Sequence, residues 1–133
     1  MKIIICLDNN NGLMFNNRRQ SRDSKVIDDI FKVIDSSKLY INDFSAELFT
    51  DRNVIKCNDF LEECSEDDYC FIENADFKKY INKVNTIIIY RWNRSYPFDK
   101  KFNTDLLTSF RLKYTIDFAG TSHDKITREE FTL

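Results

Sequence analysis

The spacing of apolar residues changes along this chain, and the order of the changes limits the folds open to it. Lys2–Leu7 is a short apolar run, as in a buried strand. From Ser21 the period becomes helical. Val26, Ile27, Ile30, Phe31, Val33 and Ile34 form a stripe, with Asp28, Asp29 and Lys32 opposite. This predicts a helix over Arg22–Ser36, capped by Ser21 or Asp23. Strands are predicted at Lys38–Phe44, Asn53–Cys57, Tyr69–Ile72 and Thr86–Trp92. Shorter helical segments fall at Ser45–Phe49, Asp59–Cys64 and Asp76–Lys83, the last capped by Asn74. The asparagine-rich stretch Asp8–Asn17 reads as a loop, and Asn93–Thr108 as irregular. Phe110, Leu112, Tyr114, Ile116 and Phe118 then alternate strictly with polar residues. That predicts a long antiparallel strand over Ser109–Phe118 with one wet face, returning through Gly120 as a last strand over Lys125–Leu133. Strand and helix alternating first, then a hairpin, specify an α/β fold: a mostly parallel central sheet with an antiparallel edge.

A chain of 133 residues is read as one domain over 1–133, long enough to bury a core. Two glycines and one proline exclude a Gly-rich phosphate loop. The longest apolar run, around Ile87–Ile89, falls far short of a membrane span. A net charge of −2 argues against a nucleic-acid binder, which needs a basic face. Heavy use of Asn, Asp, Lys and Ile suits an AT-rich bacterial genome. The opening apolar stretch is too short for a secretory signal, so a cytoplasmic protein with four reduced cysteines is expected. Cys6 and Cys70, on core strands, should react slowly. Acidic neighbours argue against Cys64 or Cys70 as a nucleophile. With one histidine and no C-x-x-C, no metal site is expected.

The order of these elements resembles dihydrofolate reductase. The block Ile3-Ile4-Ile5-Cys6-Leu7-Asp8-Asn9-Asn10-Asn11-Gly12-Leu13 is similar to that family's opening strand and loop. Asn16-Asn17 and then Asp23 resemble its approach to the catalytic acid. Lys38–Phe49, Tyr69–Val84, Asn85–Phe102 with Asp99-Lys100-Lys101-Phe102, and Ser109–Leu133 resemble its later strands, helices and closing hairpin. The resemblance implies a three-layer dihydrofolate reductase-like fold with helices on both faces.

The departures fall where the family's chemistry lies. Arg18-Arg19-Gln20 stands in place of a Leu-Pro-Trp segment. Asn42-Asp43 replaces a Gly-Arg pair that meets the NADPH phosphates, while Ser45 matches a phosphate-binding threonine. Glu73-Asn74 replaces a Gly-Gly that admits the pyrophosphate. Tyr90 replaces a threonine that bonds the catalytic acid. One like-charge pair at 4 Å costs about 4 kcal/mol at an effective dielectric of 20, so Asp43 and Glu73 both oppose a polyanion.

Asp23 is therefore the candidate catalytic acid, with a plain helix cap as the simpler role. Arg18, Arg19 and Arg22, with Lys25, form the densest basic cluster, either a phosphate- or carboxylate-binding site or a solvated loop. Ser45 and Tyr90 complete the candidate ligand contacts. Trp92, with Tyr90 and Tyr96, forms a stacking surface or one face of an edge strand. His123 falls in a hairpin turn and is expected to be exposed. The favoured reading is a non-enzymatic binding or interaction module with no cofactor, its partner a small molecule or a protein. The alternative is an NAD(P)H-dependent reductase with an altered cofactor or a pterin-like substrate. A nucleotide-binding regulator using Arg18–Arg22 is a third, smaller option.

Overall fold

The computed structural model describes residues 1–133. Ten strands run in chain order: β1 (Lys2–Leu7), β2 (Gly12–Phe15), β3 (Arg18–Arg19), β4 (Leu39–Ile41), β5 (Ile55–Lys56), β6 (Tyr69–Phe71), β7 (Thr86–Arg91), β8 (Lys100–Lys101), β9 (Arg111–Phe118) and β10 (Ile126–Thr132). Two α-helices, α1 (Ser24–Ile34) and α2 (Phe60–Glu63), are joined by 3-10 turns at Asp43–Phe49, Lys78–Lys83 and Thr104–Leu107. Seven strands form one sheet in the order β5-β4-β6-β1-β7-β10-β9. The first five are parallel, and β10 runs antiparallel to both neighbours.

Strand alternation sorts the core into two layers. Ile3, Ile5, Leu7, Cys70, Ile72, Ile87 and Ile89 face one side, against Phe60, Leu61, Phe77 and Phe102 from the short helical segments and loops. Ile4, Phe71, Ile88 and Tyr90 face the other, under Val26, Ile30 and Ile34 of α1. Because β1 lies between β6 and β7, its Ile3–Ile5 run is fully buried on both faces. No helix is long and apolar enough to cross a membrane.

Several expected boundaries shift. β4 ends at Ile41, because Asn42 caps the 3-10 turn by accepting the Ser45 N–H at 3.3 Å. The helix expected over Asp76–Lys83 is a 3-10 turn with none of its own residues buried. The loop at Asp8–Asn17 contains a strand: β2 pairs antiparallel with β3 and with β8, making a second, three-stranded sheet. Asn16 and Asn17 form its two-residue hairpin turn, with φ of 50° and 59°, in the left-handed region that asparagine tolerates. β7 is interior, so Trp92 at its end does not lie on an edge strand.

Candidate functional site

The chain leaves β3 through Gln20–Asp23 and enters α1. Asp23 is extended (φ −154°, ψ 127°) and caps the helix, accepting the Lys25 N–H at 2.9 Å. It also ties the helix to the β9–β10 connection. The Thr121 N–H and Ser122 N–H each donate to it at 2.9 Å, and His123 Nδ1 lies 2.9 Å from its Oδ2. Burial pushes this carboxyl up, but the bonds from Thr121, His123, Lys25 and Ser122 outweigh that and hold it well below the usual carboxylate range. A Cβ on Gly120 would stand 2.5 Å from Asp23 Oδ2 and 2.8 Å from the His123 carbonyl, so this close approach requires glycine.

His123 is 3% exposed, which corrects the expectation of a solvated turn. Its ring stacks on Trp92 at 4.7 Å between centroids and 23° between planes. Its Nε2 lies 2.9 Å from the Tyr96 hydroxyl and 3.1 Å from Ser21 Oγ. The sequence carried one signal for this: Ser21 and Asp23 are two residues apart, the spacing that puts both side chains on one side of an extended segment. Nothing local in the sequence placed His123 beside them, one hundred residues from Asp23.

A buried carboxylate and a half-buried amide were missed. Asp8 accepts the N–H groups of Gly12 (2.7 Å), Asn10 (2.9 Å) and Tyr96 (3.0 Å) and the Gln20 amide (3.0 Å). It thereby joins the loop after β1 to the two segments carrying Gln20 and Tyr96. Gln20 Oε1 is buried with no hydrogen-bond partner.

The basic cluster does not converge. Arg18 and Arg22 are exposed, and Arg19 turns inward. Arg19 grips Glu73 with two bonds, Nε to Oε1 at 2.7 Å and Nη2 to Oε2 at 3.0 Å. It also bonds Glu47 and the Phe44 carbonyl. Ser45, fully buried, donates to Glu73 Oε2 at 2.7 Å, so its hydroxyl is already engaged. Glu73 is thus not a free charge, as the sequence suggested, but half of a partly buried ion pair. Asn42 and Asn74 bridge the two strand ends at 2.8 Å. Tyr90 lies away from this site. Strand alternation places it with Ile88 under α1, where its hydroxyl donates to Asp29 at 2.7 Å.

Between these groups lies a partly open cavity of about 20 Å³, lined by Ser21, Asp23, Trp92, Cys6 and Leu48 together with Arg19 and Glu73. That is room for about one water. Beside it an open cleft of about 440 Å³ runs along Phe15, Arg18, Gln20, Tyr96 and Pro97. The four cysteines are free.

No protein-family model matches the chain, and no curated protein matches it. Among solved structures it is similar to a dihydrofolate reductase from Enterococcus faecalis, described as complexed with NADP(H) and RAB-propyl. The TM-score is 0.69 at 10% identity, over 98% of this chain and 94% of that one. The order of elements read from the sequence and the superposition agree: this chain has the dihydrofolate reductase fold.

Proposed function

We propose that the chain is a cytoplasmic bacterial binding module on the dihydrofolate reductase fold, without an NADPH site and without reductase chemistry. Its ligand is a small molecule or a protein partner, and its acidic balance disfavours nucleic acid. The observation that carries this reading is the Arg19–Glu73–Ser45 cluster. The solved reductase it resembles is described with NADP(H). In this chain the positions matched to that family's phosphate contacts do not fit a dinucleotide. Ser45 and Glu73 bond each other, Arg19 is paired with carboxylates, and Asp43 is exposed and acidic. Asp23 argues the same way, because a carboxyl held in its anionic form by four donors has no proton to deliver to a pterin ring.

A thermal-shift panel of NADPH, NADH, dihydrofolate and nucleotides tests the reading. A ligand at one hundred times its dissociation constant stabilises by about 2.7 kcal/mol. NADPH, NADH and dihydrofolate are expected to leave the transition unmoved. A clear rise with NADPH or dihydrofolate would restore the alternative, a reductase with altered specificity.

A further inference from the structure

We propose that Asp23, His123 and Ser21 form a relay that activates the Ser21 hydroxyl, and that the cleft beside it takes an ester with a short acyl group, which Ser21 cleaves. The inference rests on the reading of this cleft as a ligand site without NADPH, and goes beyond it by naming a reaction.

The geometry begins with spacing. In extended chain, side chains two residues apart point the same way, roughly 6.6 Å apart along the backbone. An imidazole with a hydrogen bond at each nitrogen spans that distance. His123 does so, with Nδ1 2.9 Å from Asp23 Oδ2 and Nε2 3.1 Å from Ser21 Oγ. Asp23 is buried and anionic, so it fixes the proton on Nδ1 and leaves the Nε2 lone pair free to accept. Trp92 stacks on the ring and Gly120 lets the hairpin close over Asp23, so the imidazole is held in one orientation. Ser21 is half-buried and lines the cavity, so its oxygen is within reach of a ligand. This is the arrangement that nucleophilic acyl transfer needs: a hydroxyl, a base to take its proton, and a carboxylate to orient the base.

The surroundings select the substrate class. The cavity at Ser21 is apolar on most sides and holds only about 20 Å³, so it excludes all but the smallest acyl group. The larger alcohol part lies in the open cleft. Gln20 stands between the two spaces, and its Oε1 is buried without a hydrogen-bond partner. The Tyr96 hydroxyl lies 2.9 Å from Nε2 and 3.4 Å from Ser21 Oγ. When Ser21 donates to Nε2, the Tyr96 O–H is left to donate to Ser21 Oγ.

In the reaction the Ser21 oxygen attacks the ester carbonyl carbon, and its proton passes to Nε2. The tetrahedral intermediate collapses, the bond to the alcohol oxygen breaks, and Nε2 returns the proton to that leaving oxygen. Water then repeats the sequence on the acyl-serine, releasing the acid and restoring the Ser21 hydroxyl.

The test uses the full chain with p-nitrophenyl acetate and a fluorophosphonate probe, with NADPH titrated into the same preparation. The probe is expected to label Ser21, located by peptide mass spectrometry. Ester hydrolysis should fall by about 100-fold or more in Ser21→Ala, a variant that spares the helix cap. A purely architectural His123 would leave Ser21 as inert as any serine. An unlabelled Ser21 in folded protein, or hydrolysis undiminished in Ser21→Ala, overturns the relay. That failure is distinct from failure of the binding reading, which would appear as saturable NADPH binding.

Discussion

Asp23 shows how one carboxylate can set both a helix start and a loop closure. Its folded-state carboxyl gives up its proton at lower pH than an unfolded aspartate, whose pKa is about 3.9. Below that value the unfolded chain therefore binds more protons than the folded one, and stability rises with pH there. Asp23 thus contributes fully above the unfolded value, and its contribution is lost as pH falls through the folded one. Urea titrations at a series of acidic pH values should show this loss, and Asp23→Asn should flatten part of it. Gly120→Ala is expected to cost about 1–3 kcal/mol, because the added Cβ meets Asp23 Oδ2 and a carbonyl at 2.5 and 2.8 Å. A denaturation midpoint equal to the native one would show that the hairpin gives way. The thiols follow the same local logic. Partial burial and the Glu73 charge push the Cys6 thiol up, and the Cys64 contact and burial push Cys70 up. Both should titrate slowly with a thiol reagent until denaturant is added.

At the scale of elements, what was legible depended on whether the signal was local. The stripe of α1 and the runs of β1 and β7 repeat at one period over several residues, and the structure places them within two residues of the reading. β2, β3 and β8 are two to four residues long and exist through partners far apart in sequence, so no period announces them. β9 shows a subtler failure. Its strict alternation predicted one apolar face, but the register slips between Glu130 and Phe131. Tyr114 then pairs with Glu130 and Leu112 with Phe131, leaving Lys113 as the extra residue. Of the strand's apolar residues only Tyr114 and Phe118 are partly buried, and Leu112 and Ile116 are 51% and 43% exposed. A bulge carrying a lysine on an outer strand also discourages another chain from pairing there. Within α1, Ile30 is fully buried, and Ile30→Ala should cost about 2–5 kcal/mol by chemical denaturation.

For the molecule as a whole, the fold is that of dihydrofolate reductase, and the proposal is that the groups in its cleft do different work. Asn42-Asp43 and Glu73-Asn74 were readable as departures from the family pattern that the resemblance implies. The contacts that the cleft residues make in the fold were not readable. They depend on Arg19 reaching Glu73 across 54 positions and His123 reaching Asp23 across 100. Fold likeness at 10% identity leaves the chemistry to those contacts. The most direct measurement is a fluorescence titration of NADPH into the native chain and into the double variant Asp43→Arg, Glu73→Gly. Removing Glu73 takes one of two carboxylates from Arg19, and Asp43→Arg turns an exposed acid into a cation. No saturable binding is expected for the native chain up to about 100 μM, with measurable binding gained by the double variant and less by either change alone. A native dissociation constant near about 1 μM would contradict the claim that Arg19, Glu73 and Ser45 fill the cofactor site.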